Sequence, residues 1–153
     1  MRVKLSAVAV LVLTVAGVSS WALAQDAASI ESSRKDHFHQ IGAAFKAVMD
    51  QTHASAPDFQ IIHANAQTLE QLIAALPSWF PAGSGPESGV KTRAKAEVWT
   101  KASDFQEDAR LAHEAAQDLV KASAGSDVSV VATSAMALGK RCGACHADFR
   151  EKE

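Results

Sequence analysis

The chain is poor in the residues that staple or punctuate a fold. Two cysteines in 153 residues cannot build the disulfide framework of a small secreted domain. Tyrosine is absent, and three of the four prolines and three of the eight glycines crowd between Pro77 and Gly89. So few breakers in an alanine-rich sequence exclude a strand-rich sandwich and read as all-α. There is no internal repeat and no disordered tract beyond the ends. A strong excess of one charge is lacking too, with 15 Lys plus Arg against 17 Asp plus Glu, which argues against nucleic acid as a partner.

The apolar run from Leu5 to Val18 is shorter than the ~20 residues a membrane span wants. It follows Arg2 and Lys4 and precedes Ala22-Leu23-Ala24, small residues suited to a signal peptidase. Residues 1–24 therefore read as a cleaved signal peptide, with no stable membrane insertion afterwards. Cleavage removes Arg2 and Lys4 from the 15 basic residues and none of the 17 acidic ones, leaving residues 25–153 at a formal −4. That length holds one domain with a single core.

What is present is concentrated near the end. The only cysteines lie in Cys142-Gly143-Ala144-Cys145-His146. A Cys-x-x-Cys-His run is the attachment signature of a c-type haem, two thiols forming thioethers with the vinyl groups while the imidazole ligates iron. On a helix, positions i, i+3 and i+4 share a face, so one element holds the macrocycle edge and offers His146 as metal ligand. A thioredoxin-like pair expects alternating strands and helices, which are missing. A four-ligand zinc site needs partners that the scattered His37, His39, His53, His63 and His113 do not supply. Haem is attached to such motifs outside the bacterial cytoplasmic membrane, so leader and motif agree on a periplasmic location.

Apolar residues at helical spacing predict four segments. The first covers about Ser29–Thr52, with Ile30, Phe38, Ile41, Phe45 and Val48. The second covers about Asp58–Leu76, the third Thr92–Ala122, and the fourth starts from a cap at Ser126 or Asp127 and ends near Arg150. Pro77–Pro86 is the one long loop, and its aromatics point to partial packing on the core. Two short turns and one long loop give an up-down-up-down four-helix bundle with covalently bound haem.

Lys140-Arg141-Cys142-Gly143-Ala144-Cys145-His146-Ala147-Asp148-Phe149-Arg150 resembles the ending of the class II c-type cytochromes, chiefly cytochrome c′. Residues 34–42, 76–83 and 93–99 resemble the same family. Cytochrome c′ is itself a standard example of the up-down-up-down bundle, so the fold is not an independent prediction once the family is named. The resemblance implies one covalent haem c per chain. It also implies that the residue four positions after an arginine in the first helix faces the iron opposite the histidine. Low-spin members place methionine there; cytochrome c′ members place a side chain that cannot coordinate. Matching that arginine to Arg34 puts Phe38 in this position. Phenylalanine has no lone pair, so a five-coordinate, high-spin iron with an apolar distal face is implied.

Such a face offers dioxygen no hydrogen-bond donor, whereas nitric oxide and carbon monoxide need less help. The expected function is a periplasmic haem protein that transfers one electron, binds nitric oxide and carbon monoxide, or does both. Redox proteins and diatomic gases are its partners, and many relatives pair as homodimers through the first two helices. The resemblance brings Arg34 to the haem propionates, with Arg93, Lys95 and Arg150 as further basic neighbours; Lys35 stands where relatives often carry glutamine. Two alternatives stay open. One is a six-coordinate, low-spin electron carrier with His37 or His39 as sixth ligand, although each points about 100° away from Phe38. Met49 is displaced from Phe38 by about 16 Å along the helix, and Met136 is similarly far from His146. The other alternative is an enzyme acting on nitric oxide or peroxide, for which Phe38 is a poor acid/base group.

Overall fold

The structure, a computed structural model, describes residues 19–152, with side chains from Asp26 onward. The expected leader lies outside the described residues except at its end. There Ser19 begins α1 (Ser19–Thr52), earlier than the periodicity predicts, because nothing between Ser19 and Ser29 breaks a helix. The other elements are α2 (Phe59–Ala75), the single turn α3 (Glu97–Thr100), α4 (Ala102–Ser123) and α5 (Val128–Phe149). Consecutive long helices pack on one another, and α5 returns to α1 to close the up-down-up-down bundle.

Local chemistry sets the helix starts. Asp58 and Asp127 both take extended backbone, and their carboxylates accept from the N–H groups two and three residues on, Gln60 and Ile61 in one case, Ser129 and Val130 in the other. Each cap satisfies donors that a first helical turn leaves orphaned. At the other end of α2, Pro77 sits at the start of a 3-10 turn, Leu76–Trp79, where its missing N–H costs nothing.

The interior has two parts. Ala44, Val48, Ile62, Ala66, Leu69, Ile73, Ala112, Ala116, Leu119, Val131, Ala135 and Leu138 form an aliphatic cluster, spaced by threes and fours within each helix. Leu76, Val98, Phe105, Ala109 and Phe149 form a second cluster, with Phe38, Trp79, Phe80 and Trp99 packed against it. Small alanines let the helices approach closely in the first; rings dominate the second.

The third predicted helix is corrected. Residues 92–96 are not helical, and the helix is broken at Lys101, whose backbone is at φ −120°, ψ 48°. The reason is tertiary. Arg93–Lys95 runs antiparallel to residues 149–151, Lys95 N–H donating to the Phe149 carbonyl at 3.0 Å and Glu151 N–H to the Arg93 carbonyl at 2.8 Å. This extended seam takes backbone groups a helix would have used, and α3 then tucks Val98 into the aromatic cluster.

Candidate haem site

The last turns of α5 carry Cys142, Cys145 and His146, and the seam holds those turns in place. Helix ends leave carbonyls without partners; here Lys95 Nζ donates to the Ala147 carbonyl at 2.9 Å and Arg150 N–H to the His146 carbonyl at 3.2 Å. Both cysteines are half-buried. Burial pushes the Cys142 thiol up and the Cys145 thiol up to about 12, with Asp108 adding to the second. Burial, then the charges of Arg150 and Arg93, hold the His146 imidazole below its ordinary range, which favours the neutral ring with a lone pair to give.

These groups open on a cavity of about 720 Å³, inside the range of ~300–1,000 Å³ common for cofactor pockets. Arg34, Lys35, Phe38, Arg93, Cys142, Cys145, His146 and Arg150 all line it. Across it from His146 stands Phe38, ring centroids 6.5 Å apart and planes at 63°. Trp79 and Phe80 pack edge-on against the Phe38 ring at 5.6 and 6.4 Å. One turn along α1 from Phe38, Gly42 also lines the cavity, and a Cβ built there meets nothing within 4 Å. A helix-interior glycine costs about 0.5–1 kcal/mol relative to alanine, so α1 gives up stability where it borders the cleft. Two thiols, a neutral imidazole, an apolar opposing wall and this cradle fit a flat covalent porphyrin. Cys142, Cys145 and His146 are the residues able to hold it, and the group supplies an iron that changes charge by one electron.

Arg34 is 3% exposed and does more than line the wall. Its Nε donates to the Trp79 carbonyl at 3.2 Å, its Nη2 to the Ser84 carbonyl and hydroxyl at 3.1 and 2.9 Å. Its guanidinium lies over the Phe80 ring at 4.2 Å, and Nη1 faces Glu31 Oε2 at 3.0 Å without hydrogen-bond alignment. Glu31, 4% exposed, also accepts from Thr92 Oγ1 at 3.0 Å. Desolvation lowers the Arg34 pKa, and Glu31 opposes that shift. The side chain expected at a propionate is thus mostly spent on fastening the 79–84 loop to α1, with Nη1 the one donor left to spare.

His37 does not line the cavity. Its ring stacks on Trp79 at 4.4 Å, and its Nδ1 is buried without a hydrogen-bond partner. His39 is exposed and reaches the rim. Met49 belongs to the aliphatic cluster, and Met136 is 53% exposed; neither borders the cavity. Sequence reasoning missed Glu31, Gly42, Thr92, Asp108 and Gly139. Gly139 had a local signal, standing one turn before Cys142 on the motif's own stripe. A Cβ there would come within 3.3 Å of Phe45 Cζ, so it sets how closely α5 approaches α1.

Four helices enclosing a cleft that presents a Cys-x-x-Cys-His turn define a c-type haem protein of the helical-bundle class. The sequence profile of the family described as Cytochrome C′ matches residues 29–150, so the chain belongs to the cytochrome c′ family, whose members carry one covalent haem c per chain. It is similar to a cytochrome c′ of Pararhodospirillum photometricum, 38% identical over 57% of this chain and 68% of that relative. It is 32% identical to a cytochrome c-556 of Agrobacterium fabrum over 83% of this chain and 84% of that one. The solved cytochrome c′ from Rhodobacter sphaeroides superposes with a TM-score of 0.76 at 28% identity, covering 84% of this chain and 99% of its own.

Proposed function

We propose that this protein is a periplasmic haem c protein whose iron takes His146 as its one axial protein ligand, and that it carries single electrons and binds nitric oxide or carbon monoxide on the Phe38 side. The observation that carries this reading is the Phe38 ring set across the cavity from the His146 ring. Around the Phe38 ring α1 and α2 contribute Ile41, Gly42, Phe45, Leu69 and Ile73, which like Phe38 can neither coordinate iron nor shuttle a proton; of the other α1 residues lining the cavity, Glu31 is paired with Arg34 and His39 stands at the rim. That wall favours a carrier and gas binder over a peroxidase. A nitric oxide complex is known for a variant cytochrome c′ of the same fold from Alcaligenes xylosoxidans.

In this reading Cys142 and Cys145 form the thioethers, Lys35, Arg93 and Arg150 meet the haem carboxylates from the rim, and Arg34 adds its remaining donor. Cleavage after Ala24 releases residues 25–153. A homodimer through α1 and α2 would cover Ile61, 42% exposed.

The test is the visible absorption of the purified protein in both oxidation states. Broad high-spin bands, and a ferrous form that takes carbon monoxide but no stable dioxygen, are expected. A sharp, intense reduced α band at neutral pH would assign a sixth protein ligand, with His39 at the rim the first suspect, and overturn the five-coordinate reading.

A further inference from the structure

Ion pairing divides the cations of this protein into two groups. Arg34, Lys35, Lys46, Arg110 and Lys121 each meet a carboxylate three or four residues away on their own helix. Among the described residues, Lys91, Lys95 and Lys101 on one segment and Lys140, Arg141, Arg150 and Lys152 on another have no carboxylate within 4.0 Å. The backbone of the seam explains part of this, because an extended segment has no i+4 neighbour on its face. The seam also puts the two segments side by side, Ala94 opposite Arg150.

Residues 91–101 and 140–153 together hold eight cations and four carboxylates, while the rest of residues 25–153 holds five cations and 13 carboxylates. A chain that is acidic as a whole therefore carries a positive end. That end is the cavity mouth, since Thr92, Arg93, Ala94, His146 and Arg150 line the cleft.

We infer that the ridge formed by Lys91, Lys95, Arg150 and Lys152 beside the haem cleft is the docking surface for a redox partner protein that presents an acidic face. The inference rests on the electron-carrying reading above and names the partner's chemistry. On that reading the two haem carboxylates would be met at the rim by Lys35, Arg93 and, from the ridge itself, Arg150, which leaves Lys91, Lys95 and Lys152 as outward charge. Hydrogen bonds of 3.0 and 2.8 Å fix the backbones of residues 93–95 and 149–151 side by side, so the two basic segments need no rearrangement to present their charges together. A fixed patch of one sign next to the redox centre steers an oppositely charged partner and orients it with the centre facing the contact.

The experiment uses the whole haem-loaded protein and the double variant Lys91→Glu/Lys152→Glu, whose exposed side chains do not line the cavity. The reduced protein gives one electron to hexacyanoferrate(III), leaving oxidised protein and hexacyanoferrate(II), and the rate is followed against salt. In the unsubstituted protein this rate is expected to fall about tenfold or more from low to high salt, while the rate with cationic tris(phenanthroline)cobalt(III) stays flat or rises. The double variant should cancel or reverse the hexacyanoferrate dependence. Sedimentation with poly-L-glutamate supplies a readout independent of electron transfer: salt-sensitive co-sedimentation is expected and should be lost in the variant.

A hexacyanoferrate rate that rises with salt, following the net negative charge, would overturn the inference. So would binding to phosphatidylglycerol vesicles with none to poly-L-glutamate, which assigns the ridge to a membrane surface. A preparation with no covalent haem, or none that cycles between oxidation states, would instead sink the functional reading on which this one stands.

Discussion

The two ends of the bundle are made of different material. Towards one end, alanines, leucines, valines and isoleucines interlock in helical stripes, each helix contributing its own face, and of that cluster Leu69, Ile73, Ala112 and Leu138 reach the cleft. At the cleft, rings from α1, the 76–80 turn, α3, α4 and α5 lean on one another edge to face, with Phe80 on Phe105 at 4.9 Å and Phe105 on Phe149 at 5.3 Å. The first region is assembled from evenly spaced positions on four helices and serves stability. The second is assembled from distant stretches around a buried guanidinium and serves the site. Fold and chemistry are therefore separable by mutation to a degree that a uniform core would not allow.

The largest effect should come from the charge that joins the loop to the cleft. Arg34→Met leaves the buried Glu31 with only Thr92 and the exposed Lys35 and releases the Trp79 and Ser84 carbonyls, a loss of about 3–5 kcal/mol in urea unfolding. A loss below about 1 kcal/mol would mean that the loop is held by packing alone. Leu119→Ala probes the aliphatic end, where the side chain is fully buried and does not touch the cavity. It should cost about 2–5 kcal/mol with an unchanged visible spectrum; a shifted spectrum would show that the two regions are coupled after all.

Gly42→Ala should split the two properties in opposite directions. The helix gains about 0.5–1 kcal/mol, raising the melting temperature, while the new methyl group enters the cleft and slows carbon monoxide binding to the reduced protein. Faster binding, or a lowered melting temperature, would show that the space beside Phe38 is used otherwise.

The smallest effect concerns acid. Hydrogen bonds from the Ser129 hydroxyl and N–H, and from the Val130 N–H, hold the Asp127 carboxyl below the usual carboxylate range. A lowered folded value stabilises fully above the unfolded value and is lost as pH falls through the folded one. The stability gap between the unsubstituted protein and Asp127→Ala should thus be constant at neutral pH and shrink under strong acid, as a pH series of denaturation midpoints will report.

Features that depend on neighbours in the chain were legible beforehand. Asp127 as a cap, the end of α5 near Arg150, the limits of α2 to within a residue and the shared face of Cys142, Cys145 and His146 all follow from spacing and side-chain chemistry. The extended start at residues 93–95 was not legible, because residues 91–96 contain neither glycine nor proline and the cause lies across the seam at Phe149 and Glu151. The work done by Arg34 was hidden for the same reason, its loop partners being 45 and 50 residues away. Phe38 was expected opposite the histidine by family likeness; both residues line the cavity, their ring centroids 6.5 Å apart. The partners of His37 were invisible, since a stack on Trp79 needs the loop folded back.

The seam between residues 93–95 and 149–151 also has a temporal meaning. Lys95 and the Ala147 carbonyl it reaches are 52 positions apart, so this wall of the cleft cannot zip shut until residues 147–151 have been made and delivered. Until then Cys142 and Cys145 lie on an unfinished edge, reachable from the side that residues 93–95 later cover.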